Sequence, residues 1–470
     1  MNYFLKAILK TVGIIIGVLL PRVGFGVQKS QSEPNFIFIL IDDLGWKDLS
    51  CYGSSYYETP NIDRLAGEGI RFTNAYSACT VCSPSRAAIL TGKYPARLHI
   101  TDWITGEEHP WAKLRIPDWT KYLPLEEVTI AEELKSLGYT TAHIGKWHLT
   151  NKQDTAELYY PKNQGFDLNV GGCYFGHPFH GYFDPYKIPH LKDRKKGEYL
   201  TDRLTDEAIH FIEKNKDKPF FLYLAHYAVH APIQAKESMI EKYRNKPGSN
   251  GQNNPVYAAM IESVDKSIWK IMKKLEELKI AEKTVIFFTS DNGGLVLHQI
   301  TSNAPLRAGK GSAYEGGVRV PLIVRWPGVV KPGSVCDIPV IGVDFYPTIL
   351  QTVGVKLTHP VDGVSILPLL KQTGSLEREV VYWHYPHYHV GGATPYSAIR
   401  HGDLRLIKFY EDGRLELYNL KEDIGEKNNL TLKSSKKALE LYKTLDYRLK
   451  SAKAQMPTLN PDYSPEKEKR

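Results

Sequence analysis

The sequence predicts an α/β fold: a mixed, mostly parallel sheet sandwiched by helices, followed by a smaller C-terminal α+β subdomain on an antiparallel sheet. Three observations carry this. Continuous apolar runs such as Asn35 to Ile41 and Thr284 to Thr289 read as strands buried on both faces, as parallel sheets require. Amphipathic helical stretches alternate with them, the clearest from Val256 to Leu278 with Met260, Val264, Ile268, Ile271, Leu275 and Leu278 on one stripe. From Val380 the pattern changes to four short strands separated by turn residues, a meander closed by a helix from Ser435 to Lys450.

The 470 residues suffice for a large core. Residues 1–26 read as a secretory signal: Lys6 and Lys10 form the positive end, Thr11 to Leu20 the apolar stretch, and Gly24 and Gly26 the small-residue cleavage site. That stretch is too short to span a bilayer, so an exported chain, periplasmic or secreted, with no stable membrane anchor is expected. Residues 27–370 are then expected to form the main α/β domain and 371–470 the antiparallel-sheet subdomain. The net charge of +8 falls to +5 without Lys6, Lys10 and Arg22, and no basic run is interleaved with aromatics, so no nucleic acid is expected. Five cysteines, Cys51, Cys79, Cys82, Cys173 and Cys336, leave their pairing open.

In chain order, strand Asn35 to Ile41 ends in Asp42-Asp43, placing two carboxylates at the end of the sheet where ligands bind in open α/β folds. Adjacent carboxylates there need positive charge between them, unless the pair is only a turn or cap. Asn61 to Gly67 reads as a helix and Arg71 to Tyr76 as a strand. Cys82-Ser83-Pro84-Ser85-Arg86 opens a helix with Pro84 in its first turn and Ser83 as cap, stopped by Gly92. Cys82 is either a buried structural thiol or a nucleophile at the positive helix end beside Arg86. His99 to Pro124 has no period and reads as a long loop, and Glu126 to Leu137 as a helix ended by Gly138.

Strand Tyr139 to Ile144 delivers Gly145-Lys146-Trp147-His148, whose Lys and His can face one pocket. His177, His180 and His190 match no zinc spacing. Helix Asp202 to Asn215 and strand Pro219 to Tyr227 lead to His230-Ala231-Pro232, and strand Thr284 to Thr289 to Asp291-Asn292. Asp42, Asp43, Asp291 and Asn292 are four oxygen donors at two strand ends, fitting calcium or magnesium better than zinc. Lys310 lies between glycines, in a spacing that is no nucleotide fingerprint. Pro321 to Trp326 reads as a strand, Val343 to Val353 as a helix, and the last residues as frayed.

The motif Cys-x-Pro-Ser-Arg followed by Thr91-Gly92 resembles the signature of the type I sulfatases, alkaline-phosphatase-like in fold, and the remaining motifs occur in that family's order along nearly the whole mature chain. The overall look is similar to arylsulfatase-like bacterial enzymes acting on polysaccharides. The resemblance implies that Cys82 is converted to 3-oxoalanine (formylglycine) by a formylglycine-generating or sulfatase-maturating enzyme. It further implies that Asp42, Asp43, Asp291, Asn292 and residue 82 hold Ca2+ or Mg2+, that Arg86, Lys146 and Lys310 offset the sulfate charge, that His148 is a base, and that His230 protonates the leaving oxygen. The expected activity is hydrolysis of sulfate monoesters on a sulfated oligo- or polysaccharide, such as ulvan, carrageenan or a glycosaminoglycan. A phosphate or phosphonate monoester hydrolase and a non-catalytic carbohydrate-binding protein are the rivals. Residues expected to contact sugar are His298, Arg307, His384, His387, His389 and Arg400, several of them in the aromatic and histidine-rich segment 382–389.

Overall fold

The computed structural model describes residues 33–152 and 155–468, so the expected signal segment lies outside the described residues. The described residues form one compact unit. Its main sheet has eight strands in the order β10-β2-β9-β8-β1-β7-β5-β6. These are β1 (Asn35–Ile41), β2 (Ile70–Phe72), β5 (Thr140–Gly145), β6 (Leu168–Val170), β7 (Phe220–Ala225), β8 (Thr284–Ser290), β9 (Leu322–Arg325) and β10 (Ser334–Cys336). The four adjacent strands β8, β1, β7 and β5 are parallel, with Phe36 opposite Phe221 and Val285, and β9 runs antiparallel to β8 and β2.

Every residue of β1, β7 and β8 is buried, so both faces are covered by helices, which is why these strands read as unbroken apolar runs. One helical group, Leu200–Asn215, Glu237–Arg244 and Pro255–Glu277, packs together, as does a second, Cys82–Thr91, Ile130–Ser136 and Phe345–Thr352. The stripe from Met260 to Leu275 is buried as its spacing predicts. Phe345 meets Phe38 and Phe287 edge-on, at ring centroids 5.2 and 6.0 Å apart, and so fixes its helix to the sheet.

A separate four-stranded antiparallel sheet follows, β12 (Val380–Tyr385), β13 (Tyr396–His401), β14 (Leu404–Phe409) and β15 (Leu415–Asn419), with helix Ser435–Ser451 packed on β13 and β14. Trp383 on β12 donates its indole N–H to the Ser77 carbonyl, tying this sheet to the segment that precedes Cys82. Arg405 on β14 is fully buried and pairs with Glu426 and Glu315, while its guanidinium also donates to the Ala313 carbonyl.

Several boundaries differ from the sequence reading. The helix expected from Glu126 begins at Ile130, because Thr129 and Glu132 form a reciprocal capping box that fixes its start. The strand expected over 71–76 divides: β2 joins the main sheet, whereas β3 (Ala75–Tyr76) pairs with β11 (Val340–Ile341). The helix expected from Val343 begins as a single 3-10 turn, Gly342–Asp344, before Phe345–Thr352. The end of the chain is not frayed at 458–460: β16 (Thr458–Leu459) pairs with β4 (Leu114–Arg115) from the long loop, and the Asn460 side chain donates to the carbonyls of Pro110 and Ala112. Among the described residues no helix is long and apolar enough to cross a membrane, and all five cysteines are unpaired.

Candidate active site

Four adjacent parallel strands deliver the site at their carboxyl ends. β1 runs into Asp42 and Asp43, β8 into Asp291 and Asn292, β5 into Lys146 and His148, and β7 into the turn carrying His230. Gly145 sits at φ 103°, where a Cβ would come within 1.9 Å of the Ala225 carbonyl; only glycine lets β5 turn here and place Lys146 over the sheet edge. Asp43 and His148 also take left-handed backbone conformations, φ 62° and 57°. For histidine that is a costly conformation, held here by the surrounding bonds.

Helix Cys82–Thr91 points its first turn at this edge, with Gly92 closing it at φ 69° as expected. Ser83 is not the cap; its hydroxyl donates to the His148 carbonyl and accepts from the Ile104 N–H. Val81 stands at the cap position without a side-chain bond, which leaves the amides of the first turn available to an anion. Cys82 is buried, and its Sγ lies 3.4 Å from His148 Nδ1. His148 Nε2 bonds the Ile104 carbonyl, which fixes that ring proton on Nε2 and turns the Nδ1 lone pair toward residue 82. Burial, and then the neighbouring Lys146, hold His148 far below the usual histidine range, so the ring is neutral and Nδ1 keeps its lone pair.

Cations and carboxylates interleave around the thiol. Lys146 Nζ lies 2.6 Å from Asp42, Arg86 donates to Asp291 through Nε at 2.9 Å and to the Lys146 carbonyl at 2.8 Å, and Lys310 Nζ lies 2.8 Å from Asp43 Oδ1 and 3.0 Å from His230 Nε2. His230 Nδ1 bonds the Ala231 carbonyl at 2.8 Å, so its proton sits there and Nε2 accepts from the Lys310 ammonium. Burial opposes the charge on Asp43, but Lys310, His230 and Lys146 outweigh it and lower its pKa, whereas burial of Asp42 prevails and raises it. Burial likewise pushes the Cys82 thiol up, so an unmodified sulfur is a poor nucleophile here.

Two buried oxygens at these strand ends are unpaired. Asp42 Oδ1 and Asn292 Oδ1 are both buried and without a hydrogen-bond partner, and Asp42, Asp43 and His230 offer ligand atoms within 4.8 Å of one another. Orphaned buried oxygens beside clustered carboxylates fit a hard divalent cation.

The expected sugar contacts separate. His384 is buried between Ser397 and the Gln455 carbonyl, His387 is buried against Thr101 Oγ1 at 2.8 Å, and Arg400 is buried on Tyr76 and Asn74. These three are bonded within the protein and form no open rim. Arg307 stacks its guanidinium 3.6 Å from the Tyr314 ring centroid and donates to Tyr418 and the Glu426 carbonyl, and His298 is exposed. His389 does reach the site, packing against Gly311. The Ile104 carbonyl and Ser83 show no functional pattern in the sequence, because each acts through a bond to His148, and the spacing of His177 speaks only to a metal ligand.

A lone cysteine at a helix terminus, facing a neutral histidine in a nest of lysines and carboxylates, is the site of an enzyme that works on a compact anion. Residues 34–355 match the sulfatase family, and residues 309–455 match the family described as N-sulphoglucosamine sulphohydrolase, C-terminal. The chain is 34% identical to a sulfatase of Formosa agariphila over 96% of this chain and 94% of that protein, and 36% identical to human N-acetylgalactosamine-6-sulfatase over 77% and 70%. The crystal structure of Ps i-CgsB in complex with k-i-k-neocarrahexaose superimposes with a TM-score of 0.75 at 30% identity, covering 92% of this chain and 95% of that one. The protein belongs to the sulfatase family and is a sulfuric ester hydrolase.

Proposed function

We propose that the protein is an exported sulfatase that removes sulfate from a sulfated oligo- or polysaccharide, with Cys82 converted to formylglycine by a maturation enzyme. The observation that carries the reading is Cys82 Sγ at 3.4 Å from His148 Nδ1, at the head of helix Cys82–Thr91 and among Lys146, Lys310 and Arg86. The match to N-acetylgalactosamine-6-sulfatase and to a carrageenan-oligosaccharide complex supports carbohydrate as the substrate class, and the signal segment expected at 1–26 supports export.

When present, formylglycine supplies an oxygen nucleophile as its aldehyde hydrate, and calcium or magnesium on Asp42, Asp43, Asp291, Asn292 and residue 82 supplies positive charge for the sulfate oxygens. The chain's own residues do the rest. Lys146 and Lys310 hold the ester's charge from two sides, and Arg86, tied to Asp291, fixes that carboxylate in register with Asp42. His148 Nδ1 accepts a proton from the oxygen at position 82, its orientation set by the Ile104 carbonyl. His230 Nε2 lies beside the Lys310 ammonium, which supplies the proton passed to the departing alcohol.

The test is a Cys82→Ala variant, expected to lose all turnover of sulfate esters, together with mass spectrometry of the Cys82 peptide, expected to show a loss of about 18 mass units. Wild-type turnover by the alanine variant refutes the nucleophile. Comparison of a sulfate and a phosphate monoester of one alcohol separates sulfatase from phosphoesterase specificity.

A further inference from the structure

Two half-buried imidazoles border the Lys310–His230 pair, and none of the steps above uses them. The His177 ring lies parallel to His230, centroids 6.0 Å apart and planes 6° apart. His389, on the loop joining β12 to β13, packs so closely on Gly311 that a Cβ there would fall 1.8 Å from its Nδ1; Gly311 is itself at φ 72°. That same loop closes over Lys310: a Cβ at Gly391 would fall 2.1 Å from the Lys310 carbonyl, and the Ala393 N–H donates to the Gly311 carbonyl at 2.9 Å.

His177 keeps its whole hydrogen-bonding capacity, and His389 keeps half of it. Among the described residues His177 makes no side-chain hydrogen bond, and His389 makes one, accepting from the Gly391 N–H at 2.9 Å through Nδ1. That bond puts the His389 proton on Nε2, a donor with no protein acceptor. Burial, then Lys146 and Lys310, lower the pKa of His177; burial, then Lys310, take that of His389 down to about 4. Neutral, His177 offers one donor and one acceptor and His389 its Nε2–H donor alone, a set that suits uncharged hydroxyls. Beside His177 stands Phe179, 55% exposed, its ring 4.6 Å from Phe175 and 4.0 Å from His177 by centroid. An exposed aromatic face next to unpaired polar groups is how a protein holds the C–H face of a pyranose while its hydroxyls are read.

We propose that His177 and His389 form the subsite for the free hydroxyls of the sugar ring that carries the scissile sulfate, with Phe179 against the ring's face. This rests on the carbohydrate-sulfatase reading above. It makes the loops at 174–180 and 386–395 the determinants of which sugar is accepted, and it gives the C-terminal sheet a part in specificity through His389.

The experiment uses full-length protein matured with a formylglycine-generating enzyme, in wild-type form and as His177→Ala, His389→Ala, His177→Asn and His389→Gln. Each is assayed on 4-nitrophenyl sulfate and on a panel of sulfated galactose, N-acetylgalactosamine and glucosamine saccharides. The readout is the ratio of kcat/KM for the best saccharide to that for the aryl ester. Each alanine variant is expected to lower that ratio about fivefold to tenfold, mostly through KM, the worth of one hydrogen bond to a neutral group. The amide variants are expected to recover part of it, and they carry the test if an alanine variant fails to fold. An unchanged ratio in folded variants, with wild-type protein active on a saccharide, overturns the subsite alone. Wild-type protein that turns over the aryl ester and none of the saccharides overturns the carbohydrate reading, and the subsite with it.

Discussion

Glu426 gives a stability prediction that can be worked from its surroundings. Its carboxylate is buried, accepts from the Glu315 N–H at 2.7 Å and pairs with Arg405, while Glu315 stands beside the same guanidinium. Burial raises the Glu426 pKa, Arg405 opposes it and Glu315 adds to it, and the result is about 7 against an ordinary 4.5. The folded protein therefore binds this proton more tightly than the unfolded chain. Its stabilising effect is full below about pH 4.5 and is lost as pH rises through about 7. A shift of this size corresponds to about 3 kcal/mol across the window, with a slope of at most about 1.4 kcal/mol per pH unit. Glu426→Gln removes the titration. Asp102, raised by burial to about 7, contributes in the same direction to both proteins, so the difference between wild type and variant isolates Glu426. Urea unfolding followed by tryptophan fluorescence at intervals from pH 4.5 to 8 measures it. Parallel stability curves for the two proteins would show the reasoning to be wrong.

Other outcomes follow from the same geometry. Arg405→Met leaves Glu426 and Glu315 buried without their cation and is expected to cost about 3–5 kcal/mol, read as a lowered urea midpoint. Lys310→Met removes the ammonium shared by Asp43 and His230 and is expected to lower kcat about 10²- to 10³-fold on a sulfate ester, with a loss under threefold contradicting its role. Tyr385→Phe deletes the hydroxyl that donates to buried Asp102 at 2.7 Å, two residues before the Ile104 carbonyl that orients His148. It is expected to cost about 1–3 kcal/mol in stability and to lower kcat more than KM, and equal Tm values for both proteins would rule the first part out. Removing divalent cations with a chelator is expected to lower both activity and Tm, and calcium or magnesium to restore them, because the buried oxygens of Asp42 and Asn292 then regain a partner.

The central sheet was legible because strands buried on both faces must be apolar throughout, and a polar residue directly after such a run marks the sheet edge. Asp42 follows such a run directly, Asp291 follows one that ends in Thr289-Ser290, and Lys146 follows β5, in which Thr141 and His143 are polar but buried. What escaped comes from segments without a period. Ile104 acts through a backbone carbonyl, which no side-chain pattern reports, and residues 99–124 find their strand partner 340 residues later at Thr458–Leu459. The alternation in β12 and β13 could not tell a solvent face from one covered by other parts of the chain, so His384 and Arg400 looked like rim residues while packing and bonding to Gln455 and Tyr76 had taken them inside. His387 went the same way, drawn in by Thr101.

The depth of Cys82 also sets a schedule. With 3% of its surface open and His148 against its sulfur, the folded protein gives a modifying enzyme no approach to the thiol. Residue 82 emerges early in synthesis, whereas Lys146, His148 and Lys310, which surround its sulfur, follow later in the chain. At ordinary translation rates roughly 390 further residues take about 20–80 s. Under the formylglycine proposal, conversion of Cys82 fits that interval or the unfolded state that follows it. Folded protein carrying an unmodified cysteine should therefore stay unmodified when mixed with a formylglycine-generating enzyme, while the same chain in urea-unfolded form, diluted into that enzyme, should gain the aldehyde; conversion of the folded form would show that the enclosure opens.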